Sequence, residues 1–203
     1  FTKIAIIETV TVTGEVENFF TFSIVGVDAE QSVNNDATQT TATTTATSVP
    51  FGNISAGSEY VLAQDLTVNT NSANGFTIKV FADGDLESST GATINSFTDG
   101  TGVGTPAIWA QPSGVPANAD TYGHWGLTTE DITLTDDDSF GDALYVGDFI
   151  GTPREVMYAT SSADAITDHI GKTRVGYKME ITNMQEAATD YTTRLVYIAT
   201  PIF

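Results

Sequence analysis

Apolar and polar residues alternate with period two from the first positions of the chain. Ile4, Ile6, Val10 and Val12 interleave with Lys3, Ala5, Thr9, Thr11 and Thr13, with a phase break at Ile7-Glu8. That period predicts a strand with one buried face. Gly14 interrupts it, and a second predicted strand, Val16 to Val27, carries Phe19, Phe20, Phe22 and Ile24. No turn signal ties residues 1–13 to a particular sheet. An apolar strand of this kind must find a groove, in its own subunit or in a neighbour, because an exposed apolar edge invites association.

Further runs follow. Tyr60 to Thr70 carries Leu62, Leu66 and Val68. The turn Asn71-Ser72-Ala73-Asn74-Gly75 leads to Phe76, Ile78 and Val80, and its Asn-Gly pair predicts a hairpin. Short apolar pieces lie around Ile94, Phe97 and Ile108-Trp109, then at Tyr122 to Leu127, Ile132 to Leu134 and Phe140 to Ile150. Arg174 to Thr182 alternates through Val175, Tyr177, Met179 and Ile181. The run Leu195 to Ala199 is apolar on both faces, which predicts a central strand. Ser161 to Ile170 reads as one or two helical turns capped by Ser162. Residues 28–48 are polar, with a low-complexity run from Ala37 to Ser48. Their composition suits a hairpin arm, a mobile loop or an O-glycosylated patch. Short strands throughout, almost no amphipathic helix and no fixed-period repeat predict an all-β chain. Its expected form is a single jelly-roll or β-sandwich domain over residues 15–203, with an N-terminal strand and hinge over residues 1–14.

Composition narrows the function. With 203 residues, 40% of them apolar, the chain can bury a substantial core. Seven basic residues against 26 acidic ones give a net charge of −19, which repels nucleic acid and anionic lipid and attracts cations. Cysteine is absent, which removes disulfides and thiolate metal sites. Thr makes up about one residue in six and Lys is scarce, a palette common in surface and adhesive proteins. Together with an opening at Phe1, it points to an extracellular protein after removal of a signal peptide. No apolar run approaches the roughly 20 residues a spanning helix needs.

Candidate chemistry is sparse. Asp136, Asp137, Asp138 and Asp142 form one acidic cluster, and Asp83 and Asp85 another. Loop carboxylates of this kind suit calcium, although no EF-hand spacing is present and solvated surface acids are the simpler reading. Tyr122-Gly123-His124-Trp125-Gly126 suggests either core packing or, with Trp109, a sugar-binding surface. His124 and His169 lack metal-ligand spacing. There is no Gly-x-Ser-x-Gly elbow and no phosphate loop, since Gly100 to Gly104 lacks the following Lys. No carboxylate pair stands out among 26 acids, so no enzyme is expected.

Asn53-Ile54-Ser55-Ala56-Gly57-Ser58, an apolar strand, Asn-rich residues and a returning strand ending Phe81-Ala82-Asp83-Gly84-Asp85 resemble TasA/camelysin-type matrix-fibre subunits. These share a jelly-roll fold with archaeal bundling pilins. The resemblance covers this block and the N-terminal strand, and matches nothing over residues 100–203. It implies a secreted subunit whose N-terminal strand completes the sheet of a neighbour. On that expectation Ile4, Ile6, Ile7, Val10 and Val12 fill the neighbour's groove and Gly14 is the hinge. The partner is a second copy of the chain, forming a filament, pilus or tube, with calcium and glycans as possible additions. Asn53-Ile54-Ser55 fits a glycosylation sequon. The rival expectation is a monomeric carbohydrate-binding or adhesive module.

Overall fold

The computed structural model describes residues 10–135 and 140–203. In chain order the strands are β1 (Phe20–Gly26), β2 (Tyr60–Thr70), β3 (Phe76–Ala82), β4 (Leu86–Glu87), β5 (Thr93–Ser96) and β6 (Ala107–Ile108). They continue with β7 (Gly123–Thr129), β8 (Leu144–Tyr145), β9 (Arg154–Ala159), β10 (Ala163–Asp164), β11 (Lys172–Ile181) and β12 (Leu195–Pro201). Among the described residues the one helical element is a 3-10 turn at Ala119–Thr121. The chain is an all-β sandwich.

A seven-stranded sheet runs β1-β2-β11-β7-β5-β4, with β10 also beside β2, and a three-stranded sheet runs β12-β3-β9. Neighbours are antiparallel except β5 and β7. Alternation explains the core. Leu66 and Val68 of β2, Trp125 of β7, and Val175, Tyr177 and Met179 of β11 face Phe76, Ile78 and Val80 of β3 and Met157 of β9.

The expected hairpin does not form. β2 pairs with β1, β10 and β11, whereas β3 pairs with β12 and β9. The Asn71–Gly75 turn carries the chain from one sheet to the other, because β2 and β3 bury their apolar faces against each other. Gly75 adopts φ 78° and approaches so closely that a Cβ would lie 1.8 Å from the Ala159 carbonyl oxygen.

Three other expectations also change. β12 pairs only with β3 and is an edge, not a central strand; its two-faced apolar character reflects an edge whose outer side meets no other strand among the described residues. Residues 161–170 form β10 and turns instead of a helix, since Asp164 binds the backbone N–H groups of Ile166 and Thr167 as an Asx turn. The strand expected from Val16 begins at Phe20. Residues 10–19 have no regular structure, and only at Phe19, whose carbonyl accepts from Thr70 Oγ1 at 2.8 Å, is a hydrogen bond to β2 described.

The Thr-rich run is irregular but integrated. Where β1 ends, it takes over beside β2, with Thr41 N–H donating to the Val61 carbonyl at 2.7 Å. Val27 and Val33 bury Val61 and Ala63 on the outer face of the large sheet. Gly176 admits Val33, whose Cγ1 lies 2.3 Å from where a Cβ would stand.

Candidate assembly site

Residues 10–18 form an arm outside the sandwich. Val10, Val12 and Val16 are 84%, 89% and 82% exposed, and Gly14 has no neighbour within 4 Å of an added Cβ. The arm is fastened where it meets the domain. Phe19 N–H donates to Asn71 Oδ1 at 2.9 Å, and Asn71 Nδ2 donates to the Glu17 carbonyl at 2.8 Å. Ile4, Ile6 and Ile7 lie outside the described residues.

β1, which follows the arm, is an edge of the large sheet, and β12 is an edge of the small one. At the end where the arm leaves, aromatic contacts close the sandwich between them: Phe20 lies 6.1 Å from Phe76 and Phe22 lies 6.2 Å from Tyr197. Farther along, toward Ile24 and Leu195, a cleft of about 440 Å³ opens between the edges and reaches the core residues Trp125 and Tyr177. A neighbouring cleft of about 600 Å³ shares Val49, Phe51, Leu86 and Tyr191 with it and continues past Ile54 and Ile181. The first is mainly apolar, whereas the second is as polar as it is apolar, with Asn183, Gln185 and Glu186 among its lining residues. Inside the first, the Tyr177 and Tyr197 hydroxyls meet at 2.7 Å and Tyr197 donates to Gln64 Oε1 at 3.0 Å. Burial raises both phenols above their usual range, so they remain hydrogen-bond donors.

The acidic candidates disperse. Asp83 is exposed and faces Arg194 at 3.5 Å. Asp85 turns inward: burial raises its carboxyl above the usual range, the backbone N–H of Ser96 opposes this, and Asp120 reinforces it. Asp142 accepts from Asn35 Nδ2 at 3.0 Å. Asp136, Asp137 and Asp138 lie outside the described residues, among which no group of three or more His, Asp or Glu could hold a metal.

The aromatic candidates fall on opposite faces of the large sheet. Trp125 is buried between the sheets, 4.7 Å from Phe149. Trp109 stacks on Phe97 at 4.8 Å on the outer face. Tyr122 accepts the Ala117 N–H through its hydroxyl. These three rings make no common platform. His124 is buried, with Nε2 2.8 Å from the Ala110 carbonyl and Nδ1 accepting from Asp99 N–H at 3.1 Å. Burial holds it below its usual pKa despite Ala110 and Asp99, so it is a neutral structural histidine. His169 sits in the turn before β11, with φ 63°.

Neither family profiles, curated proteins nor solved structures give a match to this chain. Among the described residues no helix is long and apolar enough to cross a membrane.

Proposed function

We propose that this chain is a secreted structural subunit that polymerises into an extracellular filament, pilus or tube by head-to-tail donor-strand complementation. The observation that carries this reading is an asymmetry. An arm bearing Val10 and Val12 in water leaves one end of the sandwich, and an apolar cleft beside an edge strand opens away from that end.

The arm of one subunit enters the cleft of the next and pairs with the outer side of β12. Main-chain hydrogen bonds form the ladder, and alternate side chains from Ile4, Ile6, Val10 and Val12 fill the cleft. Each aliphatic side chain moved fully out of water contributes about 1.5–3 kcal/mol. Because donor and acceptor lie at different places on the subunit, the contact does not close on itself and propagates. Subunits of charge −19 repel one another, and cations at the contacts would offset that repulsion.

Deleting residues 1–13 tests the mechanism. Electron micrographs of the whole chain are expected to show filaments or tubes, and the deletion a folded monomer by circular dichroism and gel filtration. Filaments that persist after the deletion refute strand donation. Dissolution of whole-chain filaments by a calcium chelator would locate divalent cations at the contacts.

A further inference from the structure

The outer face of the large sheet holds a buried lysine that the assembly reading does not use. Lys178 of β11 has a side chain 4% exposed, and its Nζ lies 2.8 Å from Asp36 Oδ2 and 2.9 Å from Glu59 Oε2. The Asp36 side chain is 5% exposed. Two aromatic rings roof the amine: its Nζ lies 5.5 Å from the Trp109 ring centre and 5.4 Å from that of Tyr145. Trp109 is fixed in turn by its Nε1–H bond to buried Glu180 at 3.0 Å and by stacking on Phe97.

Asp36 is aimed at the lysine by a specialised turn. Asn34 and Asn35 are consecutive left-handed residues, φ 44° and 54°, a conformation Asn tolerates better than most. Asn34 Nδ2 locks the turn by donating to Thr128 Oγ1 at 2.7 Å and to the Gly141 carbonyl at 2.9 Å. The two carboxyl oxygens of Asp36 then have different surroundings. Oδ1 accepts the backbone N–H of Thr38 at 2.7 Å, whereas Oδ2 accepts the Tyr145 hydroxyl at 2.6 Å and the lysine.

We propose that Lys178 and Asp36 condense within the folded domain into an intramolecular amide, with Glu59 carrying the protons. Geometry places the reactants together. A carboxyl C–O bond of about 1.2 Å added to the 2.8 Å contact bounds the Nζ-to-Cγ distance at about 4 Å, close to a near-attack position. The starting state is an ion pair: burial pushes the Asp36 carboxyl up, but hydrogen bonds from Lys178, Tyr145 and Thr38 bring it below its usual range. Taking these charges out of water is costly, so a neutral amide product is favoured by the same apolar roof.

The step balances without any outside reagent. Lys178 gives one ammonium proton to the Glu59 carboxylate, which passes it to Asp36 Oδ2. The freed nitrogen lone pair attacks Cγ, forming the C–N bond and moving the carbonyl electron pair onto Oδ1, which the Thr38 N–H stabilises. A second proton travels from nitrogen through Glu59 to Oδ2. The Cγ–Oδ2 bond breaks, its electron pair leaves with the oxygen as water, and Oδ1 regains its double bond. Nothing is oxidised or reduced. Glu59 is suited to the relay because its side chain, 36% exposed, connects the site with solvent.

The test is intact mass spectrometry of the denatured whole chain, followed by protease mapping. The expected result is a mass lower than that of the sequence by one water, with a branched peptide joining the segments that contain Asp36 and Lys178. Lys178→Arg keeps the positive charge without a nucleophilic amine and is expected to show the full mass; Glu59→Gln, with circular dichroism unchanged, is expected to lose the cross-link as well. A wild-type protein of full sequence mass overturns the proposal. So does a one-water deficit that survives in Lys178→Arg, which would locate the loss at an Asp-Gly dehydration elsewhere. A branched peptide that persists in Glu59→Gln overturns the assignment of the proton relay to Glu59.

Discussion

Replacing Thr44 with valine is expected to destabilise the domain by about 3 kcal/mol, although the residue lies in the low-complexity run from Ala37 to Ser48. Its hydroxyl accepts the Val27 N–H at 2.8 Å and donates to the Ala63 carbonyl at 2.6 Å, and the site is buried. Valine keeps the shape, so no cavity forms and only the polar partners are lost. Leaving a buried N–H and a buried C=O each without a partner costs about 1–3 kcal/mol. For a chain of this size each kcal/mol lowers Tm by about 2–4 °C, which gives a fall of about 6–12 °C. Urea unfolding followed by tryptophan fluorescence measures the difference, and Thr44→Ser, which restores the hydroxyl, should recover most of it. A Thr44→Val variant within about 0.5 kcal/mol of the parent would refute the reasoning, because that is the range of an ordinary surface substitution. The outcome bears on assembly as well. The same segment covers the stretch of β2 that β1 leaves bare, and a loosened cover exposes an unpaired edge.

Two further outcomes are expected. Leu195→Arg places a charge at the wall of the apolar cleft, so the variant should stay folded and monomeric, and added to parent subunits it should shorten filaments by donating its arm without accepting one; long filaments of the pure variant in electron micrographs would exclude this cleft as the acceptor. The Asp164 carboxyl is held down to about 2 by the backbone N–H and hydroxyl of Thr167 and then by the Ile166 N–H. A folded value below the unfolded one of about 3.9 means that its turn is fully supported above that pH and loses support as pH falls through about 2. An NMR titration midpoint near 4 would contradict the turn geometry.

Much of the fold was legible because period two is a direct readout of burial. Tyr60 to Thr70 is a strand over the expected residues, and Val175, Tyr177, Met179 and Ile181 do face inward from β11. The pairing was not legible. Apolar alternation on β2 and β3 is the same whether the strands lie side by side or face each other across a core, and the choice is made by the packing of the two faces against each other. β12 misled for a related reason, since a free apolar edge and a central strand carry the same residues. The candidate assembly site was less legible: Val10 and Val12 read as a strand but have no regular structure, and Ile24, Val49, Phe51 and Leu195 come together only in three dimensions. The lysine site was concealed by the alternation itself. Lys178 and Glu180 occupy the polar phase of β11, which suggests solvent, yet the 28–44 segment and the β6 and β8 ribbon cover that face. A Lys and a Glu within a strand, in a chain with so few Lys, was the one available hint.

The two proposals meet in the way a filament would carry load. In the proposed filament, tension between subunits would enter each domain at the fastening of the arm, through Glu17 and Phe19, and pass next to β1, whose one strand partner among the described residues is β2. A sheet edge pulled in this way peels strand by strand, and forced unfolding is governed by the unfolding rate, not by equilibrium stability. An amide at Asp36 stops the peeling after residues 20–35, which is at most about 55 Å of extended chain. From there the load enters β11, flanked on both sides by β2 and β7 at the centre of the large sheet. The covalent route onward to β12, the proposed acceptor of the next arm, would then run only through residues 179–194. Residues 37–177, which supply most of the core, therefore lie in a closed loop outside the line of tension. A cross-link between two randomly chosen strands would leave much of the core in that line. One joining the first segment after β1 to the last strand before β12 removes it, which is the placement a subunit pulled from both ends requires.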